Sequence, residues 1–101
     1  MATDPQGYLK NPQAWNQTFA EACSAEEGIS LTSAHWELLY FLREFYQKYH
    51  TSPSMRLLVK AWQQNHGKTK GSSHYLYSLF PKGPAIQGSK IAGLPKPVNC
   101  L

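Results

Sequence analysis

Covalent chemistry in this sequence falls to two thiols, Cys23 and Cys100. They show neither CxxC nor Cys/His spacing, so they are not read as a metal site or as a dithiol redox pair. Cys23 recurs with Trp15, Phe19 and Ala22 on one helical face, where a thiol packs as a small apolar group and burial raises its pKa. Cys100 stands one residue from the end of the sequence, in the run Lys90-Ile-Ala-Gly-Leu-Pro-Lys-Pro-Val-Asn-Cys100-Leu101. Gly93 reads as a left-handed helix stop. Pro95 and Pro97 bias the segment after it to extended, polyproline-like geometry. At about 3 Å per residue, such an arm reaches roughly 20 Å from Gly93 to Cys100. A thiol at its tip has no core to stabilise and is placed to meet other molecules. Lys90 and Lys96 are the cations nearest in sequence and favour its thiolate, though water screens them.

The other chemistry-bearing residues form no constellation. The four histidines, at 35, 50, 66 and 74, are scattered, the acids are confined to the first half, and there is no phosphate loop or triad spacing. His35 has no second ligand at i+3 or i+4 and reads as a structural hydrogen-bonder. No cofactor and no metal is expected. Charge is divided unevenly along the chain. Residues 1–50 carry net −3, whereas 51–101 carry seven bases and no acid. A half of one sign attracts acidic protein faces or nucleic acid. Arg56, Lys60, Lys68, Lys70 and Lys82 are its candidate contacts.

The elements that must position these groups can be read from caps and periodicity. The 101 residues make one domain, 1–101, with 93–101 as a mobile arm. Residues 7–10 read as a short strand leaving a turn. A first helix is expected over 12–26 after Asn11-Pro12. A second, over 33–49, is capped by Thr32 or Ser33 and is apolar on most sides, which marks it as central. Ser52 as N-cap and Pro53 at N1 open a third helix that runs to about 65 and stops at His66-Gly67. The tight turn between these two resembles a helix-turn-helix unit, with Gln63, Gln64 and Asn65 as weak base-reading candidates. Ser72 or Ser73 caps a short helix over 74–80. Pro84 starts a last one over 84–92, in which Gly88 costs about 1 kcal/mol of helix preference, so packing must hold it. No apolar run reaches the ~18 residues a membrane span needs. Met-Ala-Thr-Asp-Pro has no basic or apolar leader region. A cytoplasmic setting with free thiols is expected.

The segments Gly28-Ile-Ser-Leu-Thr, His35-Trp36-Glu37, Tyr75-Leu76-Tyr77, Leu79-Phe80-Pro81-Lys82-Gly83-Pro84 and the Cys100 run closely resemble the DsrC/TusE family. That resemblance implies an α+β, predominantly helical fold. A small N-terminal β element, shortened here, would lie beside about five helices and an extended Pro-containing arm. It also implies that Cys100 carries persulfide sulfur. The family's sulfite-reductase branch has a second arm cysteine at the position that is Ser89 here, and a hydroxyl forms no disulfide. The single-thiol branch relays sulfur toward 2-thiolation of the tRNA wobble uridine. The resemblance therefore implies a donor complex resembling TusBCD and, as acceptor, a tRNA 2-thiouridylase with bound tRNA. A sulfite-reductase-associated partner lacking the second cysteine, and a helix-turn-helix nucleic-acid module, are the alternatives.

Overall fold

The computed structural model describes residues 2–97 and, over 68–70, the backbone alone. It contains five α-helices: α1 Gln17–Glu26, α2 Ser33–Tyr49, α3 Met55–Lys70, α4 Ser73–Leu79 and α5 Pro84–Ile91. A single turn of 3-10 helix, Pro12–Ala14, precedes them. Among the described residues there is no strand and no sheet, so the expected N-terminal β element is corrected to an irregular segment. Its one β-like pairing is an isolated bridge between Thr3 and Leu9. The physical reason is local. The Asp4 carboxylate accepts from the backbone N–H of both Gln6 and Tyr8, each at 2.9 Å, and so closes a turn. Tyr8 and Leu9 are instead used as buried apolar plugs.

Side-chain oxygens open most of the helices. Asn16, Ser54 and Ser72 each accept the N–H three residues on, satisfying a donor the helix cannot. The first helix begins later than the sequence indicates, because Trp15 is extended and separates the 3-10 turn from α1. At the start of α2, Thr32 N–H donates to His35 Nδ1 at 3.1 Å, which leaves the proton on Nε2 to reach the Leu79 carbonyl at 2.9 Å. His35 is thus structural, as its isolation in sequence indicates. Gly67 breaks the helical path at φ 76°, where the sequence places a stop, but helical backbone resumes to Lys70.

The longest helix is not the hub. The short α5 packs against α1, α2, α3 and α4 alike. Its Pro84, Ala85, Gln87, Gly88, Ser89 and Ile91 are all buried. Gly88 permits this, since a Cβ there would stand 3.0 Å from Leu42 Cδ1. Around α5 lie Leu38, Leu39 and Leu42 of α2, Leu58 and Trp62 of α3, and Leu76 of α4, all fully buried. Burying an aliphatic side chain of this size contributes about 1.5–3 kcal/mol, enough together to offset the poor helix preference of Gly88.

Candidate functional site

The site is best built from the end of α5, because that end fixes where the tail leaves the body. The last four carbonyls of a helix have no partner within it, and buried ones must find one elsewhere. Here all four do. Gly93 adopts φ 74°. Its N–H then reaches the Lys90 carbonyl at 3.2 Å, and Leu94 N–H reaches the Ser89 carbonyl at 2.9 Å, the paired bonds of a Schellman cap. Trp15 Nε1–H donates to the Ile91 carbonyl at 2.9 Å, and Arg43 Nη1–H to the Ala92 carbonyl at 2.8 Å. Arg43 also donates to the Pro12 carbonyl at 3.0 Å and lies 4.4 Å over the Trp15 ring. Burial pulls the guanidinium's pKa below its ordinary value, a cost met by two carbonyls, an aromatic face and the negative end of a helix dipole.

Only glycine fits at position 93. A Cβ there would stand 2.9 Å from Trp15 Cβ, closer than carbon atoms pack, and the backbone would be strained besides. Leu94 is then 1% exposed. Pro95 and Lys96 are exposed and Pro97 is buried. Ser52 Oγ–H donates to the Pro95 carbonyl at 2.6 Å, across 43 positions of sequence. The tail is therefore anchored to the body as far as Pro97. Gly93 closes the cap of α5, and the Pro95 carbonyl is tied to the body by Ser52. Trp15, Arg43 and Ser52, which hold the tail, carry no local signal of that role.

Cys100 lies outside the described residues. Lys96 is exposed beside the tail's course, but Lys90 is engaged elsewhere. Its Nζ is 3.3 Å from Glu27 Oε2, while Gln87 Nε2–H donates to Glu27 Oε1 at 3.1 Å. The Gln87 hydrogen bond, followed by the Lys90 contacts, holds the Glu27 carboxyl below the usual carboxylate range. The other thiol is sealed. Cys23 is 7% exposed, and burial pushes its pKa up to about 11 despite the opposing charge of Lys90. At pH 8 such a thiol is only about 0.1% ionised. Ser89 is fully buried, and its Oγ has no hydrogen-bond partner.

The basic candidates are spread over α3 and the turn after α4. Arg56 and Lys60 are exposed one turn apart on α3. Lys82 is exposed after α4 and close enough to Glu27 to lower that carboxyl's pKa. Of Lys68 and Lys70 the structure gives the backbone, in the helical turn beyond Gly67. Gln63, Gln64 and Asn65 are exposed on α3. Among the described residues, no three His, Cys, Asp or Glu side chains gather as metal ligands, and no helix is long and apolar enough to cross a membrane.

A small all-helical body that clamps a proline-containing tail defines a class of protein, and the comparisons agree on which. The family described as DsrC like protein matches residues 1–101, and the chain belongs to that family. Among curated relatives, it is 56% identical to the "Sulfurtransferase TusE" of Pectobacterium atrosepticum, over 100% of this chain and 93% of that protein. It is 58% identical to the "Sulfurtransferase TusE" of Yersinia pseudotuberculosis, over 98% of this chain and 92% of that one. Among solved structures, the NMR structure of Allochromatium vinosum DsrC superposes with a TM-score of 0.90 at 46% identity, over 99% of this chain and 89% of that chain. The oxidised DsrC, or gamma-subunit of the dissimilatory sulfite reductase, of Archaeoglobus fulgidus gives 0.84 at 35% identity, over 99% and 91%.

Proposed function

We propose that this chain is a sulfurtransferase of the sulfur-relay kind, carrying persulfide sulfur on Cys100 within the pathway of tRNA wobble-uridine 2-thiolation. The observation that carries the reading is its 56–58% identity, over almost the whole chain, to proteins named Sulfurtransferase TusE. The two thiols divide in support of it. Cys23 is buried with a pKa of about 11, which leaves Cys100 as the sulfur that chemistry can use. The Cys100 thiolate attacks the outer sulfur of a donor persulfide. A new S–S bond forms at Cys100 as the donor's own S–S bond breaks, and the donor leaves as a thiolate with no net oxidation. The acceptor's thiolate then repeats the exchange on the outer sulfur now held by Cys100.

The anchored root suits such a carrier. With Pro97 held on the body, three further residues span at most about 11 Å. The thiol is thereby confined to a short radius around one spot, where a donor and an acceptor must each come to meet it. A donor complex of the TusBCD kind and a tRNA 2-thiouridylase with its tRNA are the partners this reading names, in a cytoplasmic setting. Ser89 supports this assignment over disulfide chemistry with a second tail cysteine, since a hydroxyl stands there, enclosed in the core. The test is a reconstituted relay from cysteine desulfurase to tRNA. 2-Thiouridine should form with the wild-type chain and fall to background with Cys100→Ser. Thiouridine formed equally by the variant overturns the proposal.

A further inference from the structure

Helices α2 and α3 both pack on α5 and meet one another through side chains such as Phe41, whose ring stands edge-on to Trp62 at 5.0 Å. Toward the turn that joins them they leave an open, mainly apolar groove of about 390 Å³. Phe45 and Tyr49, with ring centroids 4.6 Å apart, form the α2 wall, and Leu57 and Ala61 form the α3 wall. Tyr49 is 54% exposed and Leu57 50%, although both are large apolar side chains. Exposed apolar groups gathered in this way mark an interaction surface more often than groups scattered singly.

Two observations define the occupant. The first is charge. Lys48 and Lys60 border the groove and the depression that continues it along the helices, with Glu44 as the single acid among those lining residues. Exposed Arg56 lies one turn before Lys60 on α3. The second is continuity with the tail. Thr51 lines the groove, and the next residue, Ser52, holds the Pro95 carbonyl. We propose that the α2–α3 groove docks an acidic amphipathic segment of a sulfur-relay partner protein. Its apolar side chains seat between the Phe45–Tyr49 and Leu57–Ala61 walls, and its carboxylates meet Lys48, Lys60 and Arg56. The relay context rests on the function proposed above. Nucleic acid fits less well, because apolar walls gain nothing from a phosphate backbone and Glu44 repels one.

The test uses the full chain as Cys100→Ser, which excludes covalent capture, followed by two-dimensional amide spectra. One probe is a helical peptide with Leu and Trp on one face and Asp and Glu on the other. A counterpart with Lys for its acids and a bulk tRNA are the second and third. The acidic peptide should saturate with shifts centred on Phe45, Tyr49, Leu57 and Ala61. Leu57→Glu and Lys60→Glu should each weaken it by about tenfold, with the rest of the spectrum unchanged. Absence of groove shifts, equal response to the Lys peptide, the same shifts with tRNA, or groove shifts that grow with protein concentration alone each overturn the proposal. Loading of the Cys100 chain by inorganic polysulfide is measured separately. If Cys100 never loads while the peptide binds, the relay reading falls and the groove stands as a site for an acidic partner. If Cys100 loads and the peptide does not bind, the groove proposal falls alone.

Discussion

The C-terminal end of α5 and the groove between α2 and α3 lie on either side of Ser52, yet they are built on opposite principles. At the end of α5 every orphan carbonyl has a donor, drawn from the tail itself, from Trp15 and from Arg43. In the groove, large apolar side chains are left in water. The contrast teaches that this fold commits its tertiary contacts to fixing where the tail departs, and leaves the neighbouring surface uncommitted. A carrier gains from both. A fixed root shortens the search for the thiol, and an open surface next to it admits visitors.

Substitutions sharpen that comparison, and the largest effect comes from two adjacent leucines. Leu58 is fully buried and Leu57 half-exposed. Leu58→Ala should lose about 2–5 kcal/mol of unfolding free energy in urea, while Leu57→Ser stays within about 0.5 kcal/mol. Equal losses would show that the groove is part of the core. Gly93→Ala comes next, at about 2–4 kcal/mol, combining left-handed strain with overpacking on Trp15. Its spectrum should show Leu94 and Pro95 displaced. Arg43→Met should cost about 1–3 kcal/mol by leaving the Ala92 and Pro12 carbonyls without their donor. Loss of the Pro95 anchor should accompany it.

The smallest effect is expected in acid. Glu27 titrates below its unfolded value, so the unfolded chain binds a proton first as pH falls. The stability it contributes is present above the ordinary carboxylate pKa and is lost as pH drops through the folded one. Glu27→Gln should flatten that limb of a denaturation-against-pH series. An unchanged slope would show that the Lys90–Glu27 pair is too well solvated to matter.

Local chemistry wrote most of the helices legibly. Thr32 and Ser72 as caps, Pro84 as a first-turn residue and Gly93 as a stop mark boundaries that the structure keeps, because caps act over three or four residues. Ser52 shows the limit of that reasoning. Its sequence context is that of an N-cap, but Ser54 caps α3 and Ser52 bonds to Pro95, 43 residues away. The central place of α5 was equally hidden. A short helix containing glycine and serine looks weak until Leu42 closes over Gly88. The strand read over 7–10 failed because the turn before it, closed by the Asp4 carboxylate, is followed by a single isolated bridge, Thr3 with Leu9, and not by a ladder. Where the tail leaves α5, Gly93 stood out as a type in an unusual place, whereas Trp15 and Arg43 look like any helix-face aromatic and surface base. Their role arises only when α5 is brought against them.

The measurement that bears most directly on the account is the location of sulfur after the chain meets a persulfide donor. Peptide mapping by mass spectrometry should place a roughly +32 Da adduct on the C-terminal peptide containing Cys100, at the same level in Cys23→Ser as in wild type, and none in Cys100→Ser. An adduct on Cys23 that survives Cys100→Ser would contradict it.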